Sequence, residues 1–336
     1  MTMITEVAPD IFRIGQKKRS WIAPFSVNVY VIAGEDGLVF DAGLGGRKAC
    51  DRMVSQIRDI EALMKQRGKP CRITRLLVSH GHWDHFSGAA GLRDRLGLRI
   101  LANSRTARTM ASRKNYRRSF RGETALIHDG RSWFFRTCAA LGQYILDTLF
   151  FQAFRVRFVP GPLETVSDRQ ILTIGHSAWE LRLMPGHCDD DMVLVNHEQG
   201  VLLCGDIVLR AVNTWLGPPR SNLANYMKSL ELIAAIPGLR LILPAHGSPV
   251  TEPYKRLREA SEHRKKRTLE LLRFIQKKGK KGAAFDHIFH NFYPALGYTE
   301  RIIARGWILV TLMDLMERGL IVTEIVKKKK IFRACP

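Results

Sequence analysis

The sequence lacks several features that define whole classes of protein. It has no Cys-x-x-Cys pair, and its cysteines lie far apart, so neither a disulfide framework nor a zinc finger is expected. The six are Cys50, Cys71, Cys138, Cys188, Cys204 and Cys335. The first residues, MTMITEVAPDIF, contain no basic region and no long apolar run, so no export signal is expected. These absences predict reduced thiols and a cytoplasmic protein.

Long uninterrupted apolar runs are also missing. The most apolar stretch, SWFFRTCAALGQYILDTLFF at 132–151, is interrupted by Arg136, Gln143 and Asp147. A helix that spans a bilayer is almost free of such residues, so no transmembrane segment is predicted. We predict instead that this stretch is a buried helix or an interface helix. In the second case it would form the contact of a homodimer.

Acidic residues are too few to balance the basic ones. The formal net charge is +22, of which +11 falls in 251–336 and +8 in 104–163. Solvated basic faces and an anionic partner, whether nucleic acid, acidic membrane or charged substrate, explain this excess equally well. Within the second segment, Arg117, Arg118 and Arg121 are candidates for contacts with an anionic substrate.

Apolar segments that end in turn residues alternate with helical patterns. Two strands joined at Gly-Glu-Asp-Gly are predicted in 26–43, and a helix with one apolar face is predicted in 47–68. A second series of strands runs from RQILTIG to LRLILPAHG and contains a helix over 223–236. Two strand-rich halves with helices between them predict a layered α/β sandwich.

Two segments stand apart from these halves. Residues 104–163 separate them and are predicted to form a basic and aromatic helical insertion that acts as a lid or a contact surface. After Pro253 the predicted order is helix, helix, helix and hairpin, which is the order of a winged helix. We therefore predict a catalytic domain over 1–250 and a winged-helix-like domain over 251–336.

One short stretch concentrates metal-ligating side chains. His80, His82, Asp84 and His85 stand in HGHWDH, directly after the apolar strand RITRLLVS. A loop between a strand and a helix can turn several short side chains towards one point. Imidazole suits zinc and related transition metals, and carboxylate adds a harder ligand. The alternative is a histidine-rich turn that binds no metal.

Three later residues argue against that alternative. His187 follows a predicted strand in LMPGH, Asp206 follows another in GVLLCGD, and His246 follows a third in LILPAHG. Because open sheets collect functional residues at strand ends, all three can meet the HGHWDH turn. Each is flanked by Gly or Pro, as a tight turn requires.

This set of motifs resembles the metallo-β-lactamase superfamily, whose upstream motif is matched by VFDAGLG. The resemblance covers roughly residues 10–250 and implies a four-layer αβ/βα sandwich with metal ions at the sheet edge. It implies two divalent ions, the first bound by His80, His82 and His187 and the second by Asp84, His85 and His246. It also implies that Asp206 bridges them and that Asp41 orients a ligand histidine through a hydrogen bond. The stretch PGHCDDDMVLV and the tail further resemble lactamase-like hydrolases with a C-terminal winged helix, a group that includes an endoribonuclease.

The expected chemistry is hydrolysis. A divalent ion lowers the pKa of a bound water towards neutrality, and Asp84 is the candidate for a proton relay. Cys188 follows His187 and Cys204 precedes Asp206 by two positions, so no cysteine is expected among the ligands. Nitrogen and oxygen ligands admit zinc, the first choice, and also iron or manganese.

Two functions remain open at this point. An apolar insertion over a modest pocket favours cleavage of an ester, thioester or lactone of a small molecule. The basic segments and the winged-helix-like tail favour cleavage of single-stranded nucleic acid.

Overall fold

The computed structural model describes residues 4–18, 25–120, 147–327 and 329–335, which form a mixed α/β fold. Its first sheet contains seven strands in chain order. They are β1 (Ile4–Ala8), β2 (Ile11–Lys18), β3 (Phe25–Ile32), β4 (Gly37–Phe40), β5 (Ile73–Leu77), β6 (Arg99–Ala102) and β7 (Glu164–Thr165). Strands β1 to β4 pair antiparallel and β4 to β7 pair parallel.

The second sheet has five strands in the order β12-β11-β10-β9-β8. They are β8 (Ile171–Ile174), β9 (Ser177–Leu183), β10 (Met192–Asn196), β11 (Val201–Gly205) and β12 (Leu241–Pro244). Strands β11 and β12 run parallel, because the chain crosses over through a helix between them. Both predicted strand series are therefore confirmed as strands.

Helices follow or connect these strands. In the first half they are α1 (Arg47–Gln66), α2 (Trp83–Phe86), α3 (Ala89–Leu96), α4 (Ser104–Met110) and α5 (Arg113–Ser119), and 147–153 is also helical. In the second half they are α6 (Leu223–Ala234), α7 (Pro253–Lys277), α8 (Phe285–Phe292) and α9 (Tyr298–Glu317). None of the helices within the described residues is long and apolar enough to cross a membrane.

Side-chain alternation along the strands produces a layered core. On β3, Val29 and Val31 pack into the cluster that contains α1, whereas Tyr30 and Ile32 pack into the cluster between the two sheets. On β10, Val193 joins the cluster that contains α6 and α7. Because neighbouring residues of a strand face opposite sides, each sheet is covered by helices on one face and by the other sheet on the other.

Residues 251–335 add a separate small core. Besides α7, α8 and α9, they contain β13 (Ala283–Ala284), β14 (Ile321–Val326) and β15 (Lys329–Ala334), which form a sheet in the order β13-β15-β14. Leu271, Ile308 and Phe332 are buried together in it. The helices and the hairpin lie where the sequence placed them. The winged-helix identity and the domain boundary at 250 stay predictions.

Candidate metal centre

The strand ends of both sheets meet at one edge of the sandwich. Asp41 follows β4, His80 follows β5, Asp206 follows β11 and His246 follows β12. Hydrogen bonds hold the two sheets together here, with the backbone N–H of Asn28 donating to the Ala245 carbonyl at 2.7 Å. The common edge explains how residues more than a hundred positions apart form one cluster.

Three imidazoles converge on one side of this cluster. His80 Nε2 and His187 Nε2 each lie 2.9 Å from His82 Nδ1. Their other ring nitrogens point outward to separate partners. His80 Nδ1 lies 3.0 Å from Ser79 Oγ, and His187 Nδ1–H donates to the Trp215 carbonyl at 2.7 Å. Such outer hydrogen bonds fix which ring nitrogen is left to bind a metal.

A second group lies beside the first. His246 Nε2 is 3.4 Å from Asp84 Oδ2, and His85 Nε2 is 4.0 Å from Asp84 Oδ1. The outer Nδ1–H of His246 donates to the Ser26 carbonyl at 2.6 Å. Asp206 lies between the two groups, since its Oδ2 is 3.5 Å from His187 Nε2 and 3.6 Å from His85 Nε2. All seven residues predicted as ligands are thus brought together.

Asp41 supports both the turn and the second group. Its Oδ2 lies 2.8 Å from His85 Nδ1, and its Oδ1 accepts the Ser79 backbone N–H at 2.8 Å. The Ser79 hydroxyl also donates to Asp41 Oδ2, at 3.0 Å. Asp41 is fully buried and has a positive φ of 64°, a conformation that Asp and Asn tolerate better than most residues. The structure therefore places Asp41 beside a cluster histidine, as the resemblance implied.

The electrostatics of the two groups differ. Burial and the neighbouring imidazoles lower the pKa of His80 and of His82 well below the usual value, and burial lowers the pKa of His187. Burial also lowers the pKa of His85, but Asp41 and Asp206 outweigh it and raise this pKa well above the usual value. Three imidazoles are therefore neutral, with lone pairs free to bind a cation.

The carboxylates and the imidazoles of the second group shift one another's pKa values. Burial raises the pKa of Asp84, but the charges of His85 and His246 outweigh it and lower the pKa to about 2. Burial lowers the pKa of His246, which the carboxylates of Asp206 and Asp84 raise well above its usual value. The positive charges of protonated His85 and His246 thus compensate the negative charges of the buried carboxylates. A bound divalent cation can compensate these charges instead.

The donor set fits divalent metal ions. Three groups have ligand atoms within 4.8 Å of one another: His80, His82, His187 and Cys188; His80, His85 and Asp206; and Asp84, His85 and His246. His85 Nε2 is buried and makes no hydrogen bond within the described part of the chain, and the only ion pair of Asp206 Oδ1 among the described residues is with His246 Nε2, at 3.3 Å. Buried polar atoms rarely stay unpaired unless an ion or a water serves them. Imidazole and carboxylate ligands of this kind are typical of zinc and neighbouring transition metals.

Cys188 is a residue that the sequence interpretation did not count among the ligands. Its Sγ lies 3.7 Å from His82 Nε2, which makes it the outer partner of that imidazole. Burial raises the pKa of the Cys188 thiol well above its usual value. The expectation that no cysteine is a metal ligand stays a prediction, although the turn after His187 folds the next side chain back towards His82.

Aromatic residues that the sequence did not single out close the cluster on one side. Phe120, at the end of α5, stacks on His82 with ring centroids 5.4 Å apart. Trp215 lies 6.2 Å from the His82 ring and 6.1 Å from the His187 ring. Trp83 is 7% exposed and packs against Phe154 at 4.7 Å, so it belongs to the core of the first half.

The three arginines of the insertion are placed differently from one another. Arg117 Nη2 donates to Thr148 Oγ1 at 2.6 Å, and its Nε lies 3.6 Å from Asp147 Oδ2. Arg118 is exposed, and Arg121 lies outside the described residues, as does most of the aromatic stretch at 132–151. The anion contacts of all three stay predictions.

Comparison with known proteins decides the family. The family model described as the metallo-beta-lactamase superfamily matches residues 22–246, about two thirds of the chain. The chain belongs to the metallo-beta-lactamase superfamily. Members of this superfamily are generally metal-dependent hydrolases, and the matched region contains the whole His/Asp cluster.

Individual relatives agree with this assignment. A beta-lactamase-like protein 2 homolog from Drosophila melanogaster is 33% identical over 122 residues, which are 34% of this chain and 40% of that protein. A metallo-beta-lactamase family protein from Thermus thermophilus has the same fold, with a TM-score of 0.70, 19% identity, and 98% of this chain and 100% of that chain covered. The metallo-beta-lactamase FIM-1 from Pseudomonas aeruginosa, in its mono-zinc form, has a TM-score of 0.53, 17% identity, and 78% of this chain and 95% of that chain covered.

Proposed function

We propose that this protein is a binuclear metal-dependent hydrolase that cleaves an ester, thioester or lactone of a small molecule. The observation that carries the proposal is the orientation of five imidazoles. Each directs one nitrogen towards other members of the cluster, and the other nitrogen of each lies against a separate partner. These outer hydrogen bonds fix which nitrogen of each imidazole is left facing inward with its lone pair, which is what a metal site requires. A histidine-rich turn that binds no metal has no need of them.

In this proposal the two groups hold one cation each. His80, His82 and His187 bind the first, Asp84, His85 and His246 bind the second, and Asp206 bridges them. Zinc is the preferred ion, with iron and manganese as alternatives, and the mono-zinc structure of FIM-1 supports zinc. When bound, such ions lower the pKa of a coordinated water and polarise the bond to be broken.

The chain's own residues supply the remaining functions. Asp84 is ionised at neutral pH because its pKa is lowered to about 2, so it has no proton to donate and can enter a proton relay only as an acceptor. Phe120 and Trp215 cover the His82 side and limit the access of water. Asp41 and Ser79 keep His85 and His80 in the orientation that leaves Nε2 directed inward.

The test is a substrate panel with a metal control. Purified protein is assayed on esters, thioesters and lactones and on single-stranded RNA, with and without a chelator. His82→Ala should abolish hydrolysis of the small molecules, whereas His176→Ala, at an exposed turn outside the cluster, should not. Cleavage of RNA alone, lost in His82→Ala, would replace this proposal with the endoribonuclease alternative.

Several further assignments belong to the same proposal. Residues 251–336 form a winged-helix-like domain, and residues 104–163 form an insertion in a catalytic domain over 1–250. The basic charge of these two segments offers a contact for nucleic acid or another anionic partner, which added salt would weaken steeply. A homodimer and a cytoplasmic location are proposed on the sequence alone, and gel filtration with light scattering tests the dimer.

A further inference from the structure

A concavity lies next to the metal centre, between the turn that follows β11 and the C-terminal helices. Its volume is about 380 Å³, within the range of sites that hold small ligands. It is lined by 213–216, His263, Arg264, Arg267, Tyr293 and Trp307. Helix α9 packs directly on this turn, since a Cβ on Gly306 would lie 2.6 Å from the Leu216 carbonyl oxygen.

The concavity contains a buried cation whose hydrogen bonding is incomplete. Arg264 is 7% exposed, and its Nη2 donates to the Thr214 carbonyl. Its Nε is buried and makes no hydrogen bond within the described residues. None of the described residues that line the concavity has a carboxylate. An unpaired buried charge is costly, which is why such a group normally has an anionic partner.

A second arginine in the same concavity is held rigidly. Arg267 Cζ lies 4.7 Å from the Trp307 ring centroid, and Nη2 of this arginine donates to Tyr293 Oη at 3.3 Å. Glu270, on the same helix, binds Arg267 Nη1 at 3.0 Å and does not line the concavity. Burial and the charges of Arg264 and Arg267 lower the pKa of His263. A guanidinium fixed by aromatic rings loses little entropy when it binds an anion.

One residue connects this concavity to the metal centre. The Trp215 side chain lines the concavity, and the Trp215 carbonyl accepts the hydrogen bond from His187 Nδ1. The same indole lies 6.2 Å from the His82 ring. A molecule that occupies the concavity would therefore contact a residue that also borders the cluster.

We propose that this concavity is a subsite for a carboxylate or phosphate carried by a flat or apolar part of the substrate. Arg264 and Arg267 bind the oxyanion, and Trp215, Tyr293 and Trp307 contact the apolar part. The subsite rests on the proposed hydrolase function for its role in catalysis, but anion binding can be measured without turnover.

The first experiment measures binding by calorimetry. Benzoate and phenyl phosphate are the two oxyanion probes, and benzyl alcohol is the neutral control. Arg267→Gln should weaken the better oxyanion about tenfold to a hundredfold, because it removes a charge-assisted hydrogen bond. Arg267→Lys, which keeps the charge, should lose less. Arg258→Gln, an exposed arginine on the same helix, should bind as the unaltered protein does.

The outcomes separate the subsite from the proposed function. Binding of one oxyanion but not the other identifies the group, and binding of both supports the shared site. Equal affinity of Arg267→Gln and Arg258→Gln, or no preference for the oxyanions over benzyl alcohol, would overturn the subsite even if hydrolysis is observed. In turnover assays, Arg267→Gln should raise KM for a glutaryl thioester and leave KM for the matching pentanoyl thioester unchanged.

Discussion

Replacement of Asp41 by Asn probes how the chain prepares its imidazoles for metal. The two side chains have the same shape, and Asn tolerates the positive φ of 64° at this position, so the backbone is not strained. The Ser79 backbone N–H, now 2.8 Å from Asp41 Oδ1, can only donate, so the amide oxygen must stay with it. The amide nitrogen then faces His85 Nδ1, where a carboxylate oxygen now lies at 2.8 Å.

This substitution reverses the hydrogen bond behind His85. To bind a metal, His85 must be neutral, and in the unaltered protein its one proton then lies on Nδ1, towards Asp41. Because the amide nitrogen of Asn donates, Nδ1 must instead accept, so the one proton of neutral His85 lies on Nε2, where it blocks metal binding. Loss of such an outer partner lowers metal affinity about 10–100-fold, which corresponds to roughly 1.4–2.8 kcal/mol. The effect should be confined to the ion held by Asp84, His85 and His246.

The assay is a zinc titration against a chromophoric chelator. Asp41→Asn should weaken the binding of one zinc ion per chain and leave the other unchanged. Asp59→Asn makes the same chemical change on the exposed face of α1 and should bind as the unaltered protein does. Circular dichroism shows whether both variants fold. Two zinc affinities unchanged in a folded Asp41→Asn protein would refute the role assigned to Asp41.

Three further results are expected for the metal centre, and a fourth for the core. The raised pKa values of His85 and His246 mean that protons compete with metal, so zinc affinity should rise from about pH 6 to about pH 8 with measurable proton release; a flat profile contradicts this. Because folding raises the pKa values of His85 and His246, their protonation stabilises the metal-free protein, and this contribution is complete below about pH 6.5. It is lost as the pH rises through the pKa values of the folded protein, so the melting temperature measured with chelator should show the loss over that range. Cys188→Ala removes the outer partner of His82 and should weaken zinc binding about tenfold, whereas Cys188→Ser should restore most of it; equal affinities would show that the thiol has no such role. Ile57→Ala, in the core beside the first sheet, should lower the free energy of unfolding by about 2–5 kcal/mol without changing the zinc stoichiometry measured on the folded protein.

The sequence predicts the cluster well because each member carries a local signal. His187, Asp206 and His246 each follow an apolar strand and stand beside Gly or Pro, and strand ends of one sheet meet at one edge. The layered fold follows from the same alternation of strands and helices. Local patterns of this kind do not depend on which distant residue is the partner.

The contacts that the sequence does not predict are the ones between distant segments. The Trp215 and Ser26 carbonyls that hold His187 and His246 are backbone groups, which every residue has, so no residue type marks them. The approach of Cys188 to His82 depends on how the turn after His187 folds. In the sequence, Arg264 does not differ from the other charged residues of a basic helix, although it is buried in the structure.

The measurement that tests the central claim most directly is the metal content of the folded protein after reconstitution with zinc and extensive dialysis. Elemental analysis should find about two zinc ions per chain, as expected for a cluster that holds a cation pair. Removal of His82 should lower that number, while the His176→Ala protein should keep it. A well-folded protein that retains no zinc would contradict the claim that these side chains form a metal centre.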